Sequence, residues 1–269
     1  MEPRPLARDA NVTAARYPWL KLAILYAAVV GGQLMVVPVA LYAGPSVSIR
    51  TARITLFALL GLLATVPASL AVLPALGLPG TPMLDRLLKR ESLRGELGPA
   101  FIRAMLLAIA SFAVAMPMLP LRWRLLGTPH LGTASRAFTI HALGMTALSA
   151  AGAGIQEEIV FRLGLLTILV WIFARAARAR APVANHRVIL WLANLAQAYV
   201  FGLMHQALGL TGSIGGFSML GAAVDPRTMV ALVLGYGALS YGIETAIIAH
   251  VLFDESIFLI VTLLPLVAR

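Results

Sequence analysis

Long apolar runs, separated by short stretches rich in arginine, dominate this chain. They extend roughly from Leu20 to Ala43, Ile54 to Leu78, Ala100 to Leu121, Phe138 to Ala174, Val188 to Leu208, Thr228 to Tyr241 and Ile243 to Val267. A membrane helix needs about 20 apolar residues. The pattern therefore predicts an all-α polytopic transmembrane helix bundle of about seven membrane helices, with a range of six to eight. The range has two sources: the fourth run is too long for one straight span and carries "SAAGAG" midway, and the sixth is short. The chain divides into a polar cytoplasmic N-terminus at 1–17, N-terminal transmembrane helices at 18–137, and a C-terminal helix core at 138–267.

Composition agrees. Of the 269 residues, 60% are hydrophobic and 12% charged, which excludes an ordinary soluble domain. The net charge of +10 does not mark a nucleic-acid partner, because the basic residues form short clusters between apolar runs and no single patch. They are topology signals. With seven crossings and the N-terminus inside, the cluster "ARAARARAPVANHR" falls on the cytoplasmic side only if the fourth run is one long or kinked helix. The first apolar run is longer than a signal-peptide core and lacks an A-x-A site, so it reads as a retained membrane helix. The sequon at Asn11 then lies inside and carries no glycan. The stretch "MLDRLLKRESLRGEL" reads as an interfacial amphipathic helix or a solvated loop. The absence of cysteine removes disulfides, thiolate metal sites and a cysteine nucleophile.

Against this background the polar residues of the second half stand out. "GAGIQEEIVFRLGLLTILVWIF" carries Glu157, Glu158 and Arg162 inside a run otherwise fit for hydrocarbon. A charge at the centre of a membrane helix costs roughly 2.5–3.5 kcal/mol on insertion scales, so such residues are functional candidates. Glu244, Asp254 and Glu255 also lie in or beside apolar runs, as do His141, His205 and His250, while His130 and His186 lie in loops. Glu158 and Arg162 are four apart, the spacing of a helical ion pair. Glu157 is rotated by about 100° and is left without a local cation. Phe201 and His205, and His250 and Asp254, repeat the four-residue spacing on two later helices. His141 reads as structural or interfacial, and Glu244 and Glu255 as residues near the membrane edges.

A carboxylate and two histidines meeting in a wet pocket can activate water. Glu157 would act as general base with His205 orienting the water, and His250 with residue 254 would support the oxyanion. The other arrangement is a zinc ion held by Glu157, His205, His250 and Asp254. Spacing alone leaves both open, so the cofactor is either zinc or none.

Three motifs now stand in order: "EEIVFR", "FGLMH" and "HVLFD". Together they resemble the CPBP family of intramembrane proteases, which includes the CAAX prenyl endopeptidases and the Abi bacteriocin self-immunity proteins. The resemblance covers residues 138–266 and implies a metalloendopeptidase or glutamate-dependent hydrolase cutting a membrane-proximal peptide or protein substrate in the lipid bilayer. It places Glu157 and His205 at the water or metal, has Glu158 and Arg162 brace the site, lines it with His250 and Asp254, and makes Phe201 a packing wall. The prenyl endopeptidases look to have asparagine at the last motif position. Asp254, resembling the Abi-like branch, cannot donate a hydrogen bond when ionised, so it would ligate a metal, orient His250 or be protonated. That branch implies a bacterial inner membrane. The rival readings are a non-catalytic membrane scaffold or immunity protein, and a transporter with broken helices at mid-bilayer.

Overall fold

The computed structural model describes residues 18–43, 45–126, 140–179, 182–207 and 219–267. The expected N-terminal segment 1–17, with Asn11, lies outside these residues, as do His130 and the side chain of His141.

Apolar runs become helices because only a helix satisfies its own backbone hydrogen bonds in hydrocarbon without a partner strand. In chain order these are α1 (Pro18–Ala43), α2 (Pro45–Leu76), α3 (Pro82–Leu88), α4 (Arg94–Ala115), α5 (Met118–Leu126) and α6 (Ile140–Glu157). Then α6 runs without a break into a π-helical segment, Glu158–Leu166, and on into α7 (Thr167–Ala176). After them come α8 (Arg187–Ala207), α9 (Met219–Ala223), α10 (Pro226–Tyr241) and α11 (Ile243–Val267). The described residues hold no strand, and the predicted all-helical class stands.

Four helical stretches among the described residues are long and apolar enough to cross a membrane: Pro18–Val36, Arg94–Leu125, Ala147–Ala176 and Arg187–Gln206. The long fourth run is thus one continuous rod, and its irregularity is a change of helical pitch. A π-helix is rare and tends to mark functional sites. Here it starts at the paired glutamates. Its backbone is held from outside by the Ser69 hydroxyl of α2, which donates to the Gly164 carbonyl at 2.8 Å.

Helix α1 lies against α6, α2 against the π-helical segment, and α11 against both α4 and α6. The first of these contacts depends on two glycines. A Cβ on Gly32 would stand 2.7 Å from the Gly152 carbonyl oxygen, closer than any side chain tolerates. Small residues permit such backbone approach where lipid supplies no hydrophobic drive. Helix α8 is clamped to α10 by amides: Asn194 Nδ2 donates to the Leu232 carbonyl at 2.9 Å and Gln197 Nε2 to the Ala231 carbonyl at 3.1 Å.

Between α10 and α11 the chain turns at Gly242 with φ +98°, in the left-handed half of backbone space that favours glycine. The Ile243 amide then donates to the Gly80 carbonyl at 2.8 Å. Glu244, expected near a membrane edge, accepts from the Leu84 amide at 2.9 Å and so fastens α3 to the start of α11. The stretch expected as amphipathic helix or loop does hold α3, with Leu84 packed on the core and Leu87 exposed.

Candidate active site

Three helices deliver the ionisable side chains that the sequence singled out. Glu157 closes α6 and Glu158 opens the π-helical segment, Phe201 and His205 sit in the last two turns of α8, and His250 and Asp254 face inward from α11. The pairs that face one another are 2.8–3.9 Å apart.

Glu158 and Arg162 are fully buried, with Arg162 Nη1 3.1 Å from Glu158 Oε1. Burying either charge alone would cost several kcal/mol, so the pair is what makes the segment tolerable in an apolar interior. The guanidinium also stacks over the Phe201 ring at 4.6 Å, and that ring meets Phe161 edge-on at 4.9 Å and the His205 ring at 4.3 Å. Phe161 belongs to the aromatic wall although the sequence analysis passed it over. Its only sequence signal was its position inside "EEIVFR".

His250 stands between the two glutamates. Its Nδ1 donates to Glu158 Oε1 at 2.8 Å, while Nε2 is 3.9 Å from Glu157 Oε2 and 3.6 Å from Asp254 Oδ2. On its own helix Glu157 has no cation paired with it, Arg162 being paired with Glu158, and its neighbours are imidazoles from other helices. Helical rotation separates adjacent side chains on one rod, but α11 inserts an imidazole that both carboxylates reach from opposite edges.

His205 is oriented by its own helix. Its Nδ1 lies 2.9 Å from the Phe201 carbonyl oxygen, one turn back. A carbonyl only accepts, so Nδ1 carries the proton and the neutral ring offers a lone pair at Nε2. That lone pair faces Glu157 Oε1 at 3.7 Å. Glu157 and Asp254 keep side-chain exposures of 17% and 26%, whereas Glu158 keeps none.

A zinc site asks for donors about 2.0–2.2 Å from one ion. Among the described residues no group of three or more histidine or carboxylate side chains is placed to hold a metal. The donor set proposed for zinc, Glu157, His205, His250 and Asp254, is present in one place, its facing pairs 3.6–3.9 Å apart. Donors on one tetrahedral ion with bonds of that length stand about 3.4 Å apart, so holding zinc would need a contraction of a few tenths of an ångström. Glu244 stands apart from the cluster, engaged by the Leu84 amide.

No curated protein and no solved structure matches the chain. Residues 139–255, which hold all three motifs, match the family model described as type II CAAX prenyl endopeptidase Rce1-like, a match consistent with the CPBP resemblance over that stretch.

Proposed function

We propose that this chain is an intramembrane endopeptidase that hydrolyses a peptide bond close to the membrane, using water activated between Glu157 and His205. The observation that carries the reading is a pair of acceptors facing each other, Glu157 Oε1 and His205 Nε2, 3.7 Å apart. Nothing in either group can donate to the other when the imidazole is neutral and the carboxylate ionised. A water placed about 2.8 Å from each donates one hydrogen to each and turns its lone pairs outward.

The reaction follows from that placement. As the water oxygen bonds to the scissile carbonyl carbon, Glu157 takes its proton and later delivers it to the leaving amine nitrogen. His205 holds the water in line. His250, anchored through Nδ1 to Glu158, supports the oxyanion from Nε2 when that nitrogen carries a proton, and Asp254 orients the ring.

The family description supports a protease in a membrane, and its name points to prenylated C-terminal tails as one substrate class. Asp254 in place of asparagine favours the wider class of membrane-proximal peptides, lipidated or plain. A bacterial inner membrane with the N-terminus inside is the setting we infer from the arginine clusters and the Abi-like motif variant. The test is cleavage of membrane-anchored fluorogenic peptides, with and without a prenyl group, by protein in lipid nanodiscs beside Glu157→Gln. Cleavage by the wild type and not by the variant supports the proposal. A folded wild type that cuts none of them overturns it in favour of the non-catalytic scaffold.

A further inference from the structure

The π-helical segment carries Glu158 and Arg162, and both ends of its rod are held by packing. Helix α6 lies against α1 and α11, and α7 against α2 and α8, where Leu166, Val170 and Ala174 share a core cluster with Leu76 and Ile189. Each residue of an α-helix turns the chain by about 100°. A π turn absorbs one residue more. With both ends fixed, a return to α pitch would have to be taken up inside the segment, at Glu158 and Arg162.

One face of α2 meets this segment. Gly61, Thr65 and Ser69, spaced four apart, lie against Val160 and Gly164: a Cβ on Gly61 would stand 2.9 Å from Val160 Cγ1, and a Cβ on Gly164 would run into the Thr65 hydroxyl. Ser69 is fully buried, and its hydroxyl reaches the Gly164 carbonyl and the Thr65 carbonyl of its own helix, each at 2.8 Å. The Thr65 carbonyl already has an amide of its own helix one turn on. On its own rod the Gly164 carbonyl is served by the Thr167 amide, three residues on, a spacing of poorer hydrogen-bond geometry. The Thr167 hydroxyl lies 3.4 Å from the Arg162 carbonyl, five residues back. Neither is the four-residue spacing of an α-helix, and Ser69 adds to this irregular exit a bond from another helix.

We propose that Ser69 is a positioning residue of the candidate site: its hydroxyl on the Gly164 carbonyl keeps residues 158–166 at wide pitch, and that pitch aims the Glu158 carboxylate at His250 Nδ1. It works through the backbone and touches no reacting atom. Its bearing on cleavage rests on the hydrolysis proposed above, whereas the aim of Glu158 does not and is read without substrate.

The Nδ1 proton of His250, 2.8 Å from Glu158 on its nitrogen, gives a downfield imidazole resonance in the NMR spectrum of the full chain in nanodiscs, assigned by its absence from His250→Gln. In Ser69→Ala this resonance is expected to move upfield or vanish, while the melting temperature falls by about 2–6 °C for one lost buried hydrogen bond. Thr228→Val removes another buried hydroxyl bond, to the Ala222 carbonyl at 2.7 Å, and should lower the melting temperature similarly with the resonance in place. An unmoved resonance in folded Ser69→Ala overturns the proposal, as does an equal displacement in Thr228→Val. Should Ser69→Ala not fold, Ser69→Cys decides: it is close in size with only a weak donor, the same displacement is expected, and none overturns the role of Ser69. Where the wild type cleaves peptides, kcat of Ser69→Ala should fall about tenfold or more at unchanged KM, and an undiminished kcat overturns the positioning role. A displaced resonance in a chain that cleaves nothing removes the hydrolysis and leaves the aim of Glu158 supported.

Discussion

His205 Nε2 and Glu157 Oε1 face each other at 3.7 Å while His205 Nδ1 is held by the Phe201 carbonyl at 2.9 Å. The backbone of α8 thus fixes which imidazole nitrogen is free, and the free one is aimed at the carboxylate of another helix. Because the anchor is a main-chain carbonyl, no side-chain substitution at Phe201 removes it.

Glu157→Gln tests the base. An amide cannot take the proton, and peptide cleavage should fall by about 10²–10⁴-fold, the usual contribution of a positioned acid or base. Glu157 keeps partial exposure and no contact shorter than 3.7 Å among its ion pairs, so melting temperature should change little. A variant with unaltered cleavage, measured at equal protein abundance, would remove Glu157 from the chemistry.

Arg162→Met should behave in the opposite way. It strands the Glu158 carboxylate in a fully buried position, and removing one partner of a buried pair costs about 3–5 kcal/mol. The double variant Glu158→Gln/Arg162→Met, which removes both charges, should recover a large part of that loss. Chemical unfolding in detergent micelles reads both values, and equal losses in the single and double variants would mean that the pair is not coupled.

Asp254→Asn separates orientation from charge. Asp254 Oδ2 lies 3.6 Å from His250 Nε2, and an amide can occupy the same place and both donate and accept. The expected outcome is a reduction of no more than about tenfold, far milder than Glu157→Gln. A loss as large as that of Glu157→Gln would show that the negative charge itself is required.

Metal content bears on the same four residues. With no group of three such side chains placed for one ion among the described residues, purified protein should carry well under one zinc per chain, and cleavage should survive a chelator. One zinc per chain that disappears in His205→Ala would overturn this and make the cluster a metal centre that contracts on binding.

Gly32→Val probes the contact that seats the site. The added side chain meets the Gly152 carbonyl and pushes α1 off α6, the helix that ends in Glu157. Thermal stability should drop and cleavage with it, whereas Gly31→Val, with nothing within 4 Å of the added Cβ, should be tolerated far better. Equal effects at both positions would deny the close approach its role.

Hydropathy along the sequence was enough for the all-helical membrane character, because a run of about 20 apolar residues has few other stable states. Helix spacing was enough for the Glu158 and Arg162 pair, since four residues return the chain to one face. It also put Phe201 with His205 and His250 with Asp254. What helix spacing could not supply was anything between helices. That both glutamates reach one imidazole depends on where α11 lies, and that depends on its close approach to α6 at Gly154, where a Cβ would stand 2.8 Å from Val251 Cγ2, and on α4 behind it. The π-helical pitch of Glu158–Leu166 has no local signature, because wide turns arise from tertiary contacts such as Ser69 on Gly164 and from no residue preference. Likewise the free nitrogen of each histidine is set by which acceptor happens to stand beside its Nδ1. For His205 that acceptor is within its own helix, and for His250 it is 92 positions away in sequence, across a packed interface that only the folded bundle creates.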